Sequence, residues 1–223
     1  MNVHEAVLAR RSIRAFKSDP VPRKVLEEIM ERALWSPSWG NTQPWKFTIV
    51  GGKTLEKIRT DYVGLFQGRS AAKPDFPFQT TFNEIQTIRY KGLGKSLFQA
   101  LDIARDDMEK RNAYNLGMAR FFEAPCLIYL HFSRGFNPYA LMDGGIILQT
   151  IALLAMEQGL GTCILTRSVS YPDVVRRHTG LDSDQMLIMG IGIGYPIPDH
   201  PANLFRSQRG KPEEFLTFID VEP

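Results

Sequence analysis

The chain has 223 residues, 43% of them hydrophobic, with 27 basic and 24 acidic side chains for a net charge of +3. That length buries a core without staples, and the composition is ordinary for a globular protein. The charge is too balanced to point to nucleic acid or an anionic membrane as partner, so any basic site must be local.

The N-terminus "MNVHEAVLARR" has no apolar h-region, which predicts no signal peptide and a cytoplasmic protein. Residues 3–9 read as a short helix, followed by "RRSIR" at 10–14. Asp19 and two prolines open a helix near 22, and Val25, Leu26, Ile29, Met30, Ala33 and Leu34 follow at helical spacing. Pro37 stops it. "SPSWGNTQPW" at 36–45 is a turn built from breakers that nonetheless carries two tryptophans. "KFTIV" at 46–50 is strand-like, and "KTLEKIRTDY" reads as a helix.

Residues 66–95 are rich in aromatics and cations with weak periodicity. A long structureless loop inside a compact domain is improbable unless it has a function. This stretch is therefore read as an excursion, partly helical, that covers something. Helical pattern resumes at 95–109 and at 112–123. "APCLIYLHF" at 124–132 is a continuous apolar run and so a buried strand. The segment around 140–158 is a helix of about 18 residues, apolar nearly all round, which must be buried on several sides. It carries Asp143 and Gln149 and reads as too short and too polar to span a membrane. "LGTCILT" is a strand, "YPDVVRRHTG" a short helix with Gly180 as C-cap, and "QMLIMGIGIGYP" a strand. "EEFLTFID" closes the chain as a strand or extended arm. The order of elements predicts one α+β or mixed α/β layered domain over 1–223.

Cys126 and Cys163 each lie in an apolar run and read as buried thiols, not as a disulfide scaffold. The four histidines are scattered, so no metal site is predicted. "GIGIG" at 190–194 is not a dinucleotide fingerprint, because Tyr195-Pro196 follows where a helix is required.

In "RRSIR", Arg10 and Arg14 converge whether the segment is extended or helical. Converging guanidinium groups beside Ser12 suit a phosphate. A solvated basic patch and ion pairs with Glu27, Glu28 or Glu31 are the competing readings. In the 36–45 turn, Asn41 and Gln43 offer donors and acceptors for a heterocycle edge, while Trp45 reads as core. Asp143 in "DGG" could be a catalytic carboxylate, but reads more readily as capping or hydrogen-bonding locally at the start of the long helix. "FRSQRG" at 205–210 is a second basic cluster, with Arg206 and Arg209 able to join Arg10 around one anion or simply to face water.

Five motifs in this order, "RRSIR", "SPSWGNTQPW", "GLGTCIL", "IGIGYP" and "FRSQR", together resemble the FMN-dependent nitroreductase family. "FFEAPCLIYLHF" is similar to the subgroup of nitrobenzoate reductases. The resemblance implies an α+β fold, a three-layer α/β/α sandwich with a mixed, mainly antiparallel sheet, in a domain-swapped homodimer binding FMN. It implies that Arg10, Arg11 and Ser12 hold the phosphate and ribityl chain, that Arg209 closes on the phosphate, and that Arg14 reaches the N1/O2 edge of the ring. Pro37, Ser38 and Asn41 would come from the partner subunit, with Gln43 in the same turn. Ile164, Leu165 and Thr166 would lie along the flavin, and Arg206 is a further candidate.

The implied function is hydride transfer from NAD(P)H through flavin N5 to a small nitroaromatic or quinone-like acceptor, the chemistry belonging to the flavin. No side chain stands out as an obligate acid. Residues 66–118 would form the lid, with Arg89 the first cation to test against an acidic substrate. A flavin-dependent dehalogenase or flavin-cleaving enzyme, and a non-catalytic flavin-binding or redox-sensing protein, remain as other readings.

Overall fold

The computed structural model describes residues 2–222. Helix α1 (Val3–Ala9) starts at a reciprocal cap: the Asn2 side chain accepts from the Glu5 amide, and the Glu5 carboxylate accepts from the Asn2 amide. Residues 10–17 then run extended. Helix α2 (Arg23–Ala33) turns Leu26, Ile29 and Ala33 inward, as the spacing predicts.

Strands β1 (Lys46–Gly51), β2 (Cys126–Ser133), β3 (Gly161–Leu165) and β4 (Gln185–Gly194) form one sheet in the order β1-β2-β4-β3. Every strand pair is antiparallel. The parallel component among the described residues is a single bridge, Ser12 to Thr162, at the outer edge of β3. The expected mixed sheet thus reduces to four antiparallel strands plus that one contact.

Side chains alternate across a strand, and β2 is buried along nearly its whole length because helices cover both faces. Leu127 and Tyr129 enter one core with Leu55, Ile58 and Tyr62 of α3 (Gly52–Gln67) and Val174 and Val175 of α7 (Pro172–Thr179). Ile128, Leu130 and Phe132 enter the other with α2 and with Ile147, Ile151 and Ala155 of α6 (Tyr139–Glu157). Each such fully buried Leu or Ile contributes about 1.5–3 kcal/mol. These are the three layers expected. Trp45 belongs to the second core, as read from the sequence.

Helix α6 is long and apolar enough, by length and composition alone, to cross a membrane, so the sequence judgement on 140–156 was too strict. Its packing is that of a layer helix. One side lies on the sheet, while Met142 and Ile146 on the other side face outward.

The excursion is more ordered than its sequence suggests. Asp75, its side chain buried, accepts from the Leu187 amide at 2.9 Å and pairs with Arg176 at 2.5 Å, pinning the loop to β4 and α7. Phe76 and Phe78 pack on the two cores. Phe82 and Tyr90 stack on each other at 5.2 Å. Helix α4 (Glu84–Ala100) begins at Asn83, whose side chain accepts from the Gln86 amide in a capping box.

The helix expected over 95–109 is therefore displaced. Residues 101–107 are turn, with Asp102 left-handed, and α5 (Met108–Ala119) starts afresh at the cap residue Asp107. Nor does a helix run to 123. Phe121, Phe122 and Glu123 are all left-handed, a conformation that costs roughly 1–2 kcal/mol per residue. The buried Arg59 guanidinium holds the turn by donating to the Arg120 and Ala124 carbonyls on either side of it. A short turn at Pro212–Glu214 precedes the closing residues 215–222, which are exposed and form no strand, leaving the arm of the two readings. Helix α8 (Pro201–Leu204) precedes that turn.

Candidate functional site

Residues 10–14 run alongside β3, joined to it by the Ser12–Thr162 bridge. The Ile13 amide donates to the Thr162 carbonyl at 2.9 Å. The approach requires glycine at 161, because a Cβ there would stand 2.4 Å from an Ile13 carbon. On the other flank, Asn203 of α8 is almost wholly buried. Its Oδ1 accepts from the Arg14 and Ala15 amides at 2.7 and 3.1 Å, and its Nδ2 donates to the Ala15 and Ile197 carbonyls. One amide side chain thus satisfies four backbone groups. No sequence signal marks Asn203, since a single Asn in "PANLF" has no pattern.

The segment so held presents Arg10, Arg11, Ser12 and Arg14 to a cavity of about 420 Å³, closed by Phe205, Arg206, Ser207 and Arg209. The two basic clusters, nearly 200 residues apart in sequence, meet there. Five arginines line the cavity without one carboxylate. None of them enters an ion pair among the described residues, which removes the ion-pair reading with Glu27, Glu28 or Glu31. Glu27 pairs with Arg23 instead. The Nε of Arg11 is buried with no hydrogen-bond partner, and a buried donor without an acceptor costs about 1–3 kcal/mol. The cavity is thus lined by positive charge without a counter-charge among the described residues.

The arginines are not equivalent. Arg206 donates to the Leu8 and Ala9 carbonyls, capping the C-terminus of α1. Arg209 bonds only within its own turn, to Ser207 and the Gln208 carbonyl. The Arg14 Nη1 donates weakly to the Ser12 carbonyl. Beneath them, burial pushes the Cys163 thiol up to about 11, against the pull of Arg14, Ser12 and Arg10. Burial likewise pushes Cys126 up to about 12. Both cysteines are free thiols, as expected.

Along β3, Ile164 and Thr166 are exposed while the Leu165 side chain is in the core. Leu165 can offer only its backbone to that surface. Among the described residues, no cluster of potential metal ligands is present.

The 36–45 turn lies apart from the arginine cavity within one chain. Gly40, Asn41 and Gln43 are left-handed. The Gln43 amide donates to Ser38 Oγ at 3.0 Å, and the Gln43 Nε2 donates to Asn41. Pro37, Asn41 and Gln43 are exposed. Asp143 does not cap α6. It is buried at the helix's second turn, and its Oδ1 accepts from the Trp39 amide at 3.1 Å, tying the turn down. Arg89 lines a neighbouring cavity together with Arg206 and Arg209. It pairs with Glu214 at 2.7 Å and lies 4.9 Å over the Phe215 ring, joining α4 to the C-terminal strap.

The model of the nitroreductase family matches residues 7–195. The chloronitrobenzene nitroreductase of Comamonas testosteroni is 30% identical over 220 residues, covering 97% of this chain and 96% of its own. Among solved structures, the FMN and NADPH-dependent nitroreductase NfnB from sphigopyxis sp. strain HMH superposes with a TM-score of 0.93 at 34% identity, covering 99% of this chain and all of that one. The FMN-dependent nitroreductase NfnB from Mycobacterium smegmatis, solved in complex with NADPH, superposes with a TM-score of 0.91 at 29% identity, covering 97% of each chain. The extent of these matches and the shared architecture establish that the chain belongs to the nitroreductase family.

Proposed function

We propose that the chain is an FMN-dependent oxidoreductase that passes hydride from NAD(P)H to nitroaromatic or quinone-like acceptors. The observation that carries this reading is the carboxylate-free cavity of Arg10, Arg11, Ser12, Arg14 and Arg209, with its buried, unpartnered Arg11 Nε. A phosphate supplies the missing acceptor, and guanidinium forks match its oxygens. The FMN and NADPH named for the NfnB enzymes support the choice of cofactor and donor.

In this reading Arg10, Arg11 and Ser12 bind the phosphate and ribityl chain. Arg209, bonded only within its own turn, closes on the phosphate. Arg206 holds α1 in place and acts as support. Arg14 is assigned to the N1/O2 edge, where a fixed cation stabilises negative charge. Ile164 and Thr166 bear on the ring with their side chains and Leu165 with its backbone. When bound, FMN supplies the two-electron chemistry.

The second half of the site is assigned to a second copy of the chain. Pro37, Ser38, Asn41 and Gln43 find no ring to meet in their own subunit. Nearby, Trp35 and Met142 are 90% and 64% exposed, and such apolar surface marks an interface. Residues 66–118 are assigned as the lid over a small aromatic acceptor.

Absorbance of the purified protein tests the proposal. A yellow protein with equimolar FMN is expected, bleached by NADH or NADPH and restored by a nitroaromatic. A colourless protein that stays apo in excess FMN refutes it.

A further inference from the structure

Among the described residues, the arginines that donate no side-chain hydrogen bond and enter no ion pair are Arg10, Arg11, Arg69, Arg105 and Arg167. Arg10 and Arg11 line the cavity already described. Arg105 stands on an exposed turn. Arg69 and Arg167 line a different groove of about 690 Å³, between the end of α3, the middle of α5 and the turn after β3. Gln67 and Asn112 add amide donors to it, Phe66 and Leu116 form an apolar wall, and no carboxylate faces it.

Two features suggest that these cations are placed and not merely solvated. The Arg167 guanidinium lies 5.7 Å over the Phe66 ring, which orders it without consuming its donors. Arg69 occupies the left-handed residue of a Schellman motif that ends α3. Its amide donates to Phe66, and the Ser70 amide donates to Leu65. Glycine is the usual residue there. The helix dipole favours a cation near this end, but an arginine one residue earlier, with ordinary backbone, would serve the dipole equally. A non-glycine residue held at φ +54 is backbone strain of the kind kept at functional positions.

We propose that this groove is a second phosphate site, in which Arg69 and Arg167 grip one phosphate dianion. Two guanidinium groups and no carboxylate match a charge near −2 better than a single carboxylate. The phosphate is either free or carried by a nucleotide whose base lies on the Phe66–Leu116 wall. The site lies outside the cavity assigned to FMN and does not depend on that assignment.

The test is calorimetric titration of FMN-saturated protein, with inorganic phosphate and separately with adenosine 2′,5′-bisphosphate. The wild type is expected to bind at least one of them. Arg69→Ala and Arg167→Ala should each weaken binding about tenfold, the loss of one charge-assisted contact, with flavin absorbance unchanged. Arg105→Ala should bind as the wild type does. Arg69→Gly separates function from scaffold, because it should raise the melting midpoint while weakening phosphate binding. Binding of the bisphosphate alone identifies a nucleotide ligand, and equal binding of both identifies free phosphate. Failure of both probes to bind, or wild-type affinity in Arg69→Ala and Arg167→Ala, overturns the proposal. Should the protein prove unable to take FMN, phosphate binding lost with Arg69→Ala would still report on this groove alone.

Discussion

Residues 10–14 and residues 36–45 both depart from regular structure, and the chain treats them in opposite ways. The arginine segment finds its partners within the same chain: Thr162 on one flank, Asn203 on the other, Arg206 and Arg209 across the cavity. The breaker turn is tied down by Asp143, and its exposed Asn41 and Gln43 bond only within the turn among the described residues. The difference teaches that a polar turn can be rigid without meeting the cavity of its own subunit, which is why it is assigned to the cavity of a second copy. The proposed homodimer supplies that copy.

The strongest way to break that comparison is to charge the exposed stripe of α6. Met142→Asp with Ile146→Asp should yield monomers that lose FMN altogether, read by size-exclusion chromatography and flavin absorbance. Monomers with full FMN occupancy would show the arginine half to suffice. Ile147 is unsuitable for this purpose, since it is wholly buried within the subunit and a charge there would unfold the chain.

Next in size is the phosphate grip. Arg10→Ala and Arg209→Ala should each weaken FMN binding by about 1.5–3 kcal/mol, with a non-additive double variant if both hold one phosphate. Asn203→Leu sharpens the scaffold side of the comparison. It strips the acceptor from the Arg14 and Ala15 amides, so denaturant titration should show a loss of about 1–3 kcal/mol. FMN affinity should fall too, although Asn203 does not line the cavity.

Smaller effects are expected away from the two regions. Arg89→Ala removes a half-exposed ion pair worth about 0–1 kcal/mol. Because Arg89 is engaged with Glu214 and Phe215, the preference between nitrobenzoate and nitrobenzene should stay as in the wild type. A changed preference would return Arg89 to the substrate site. The smallest effect concerns His131, between Thr48 and Gln185, where burial lowers the imidazole pKa from its usual 6.5. The folded state resists the proton that the unfolded chain accepts, so this contribution is present above pH 6.5 and lost as pH falls through the folded value. The slope of stability against pH below 6.5 should flatten in His131→Gln.

Much of this was legible in the sequence because it is local. Helical spacing placed α2, the long apolar run placed α6, and five arginines in two short motifs marked the cavity. What was not legible depends on distant contacts. Arg59 stabilises a left-handed turn 61 residues away at Arg120, so apolar periodicity ran on where the chain reverses. Asn203 meets Arg14 across 189 residues. The excursion hid its start in a capping box, Asn83 to Gln86, which weak periodicity on either side obscured. Arg69 and Arg167 lie 98 positions apart in sequence and join only through the fold.

Residues 10–14 also guard a sheet edge. Strand β3 is the last in the sheet, and its outer edge is covered only by the bridge at Ser12 and the Ile13 amide. An uncovered edge strand is a template for pairing with other chains, and "GTCIL" is short, apolar and uncharged. The residues that guard it are the same ones that line the arginine cavity. With FMN bound as proposed, protein expressed with ample riboflavin should show a higher melting midpoint than protein expressed without it, because the cofactor would hold these residues against the edge.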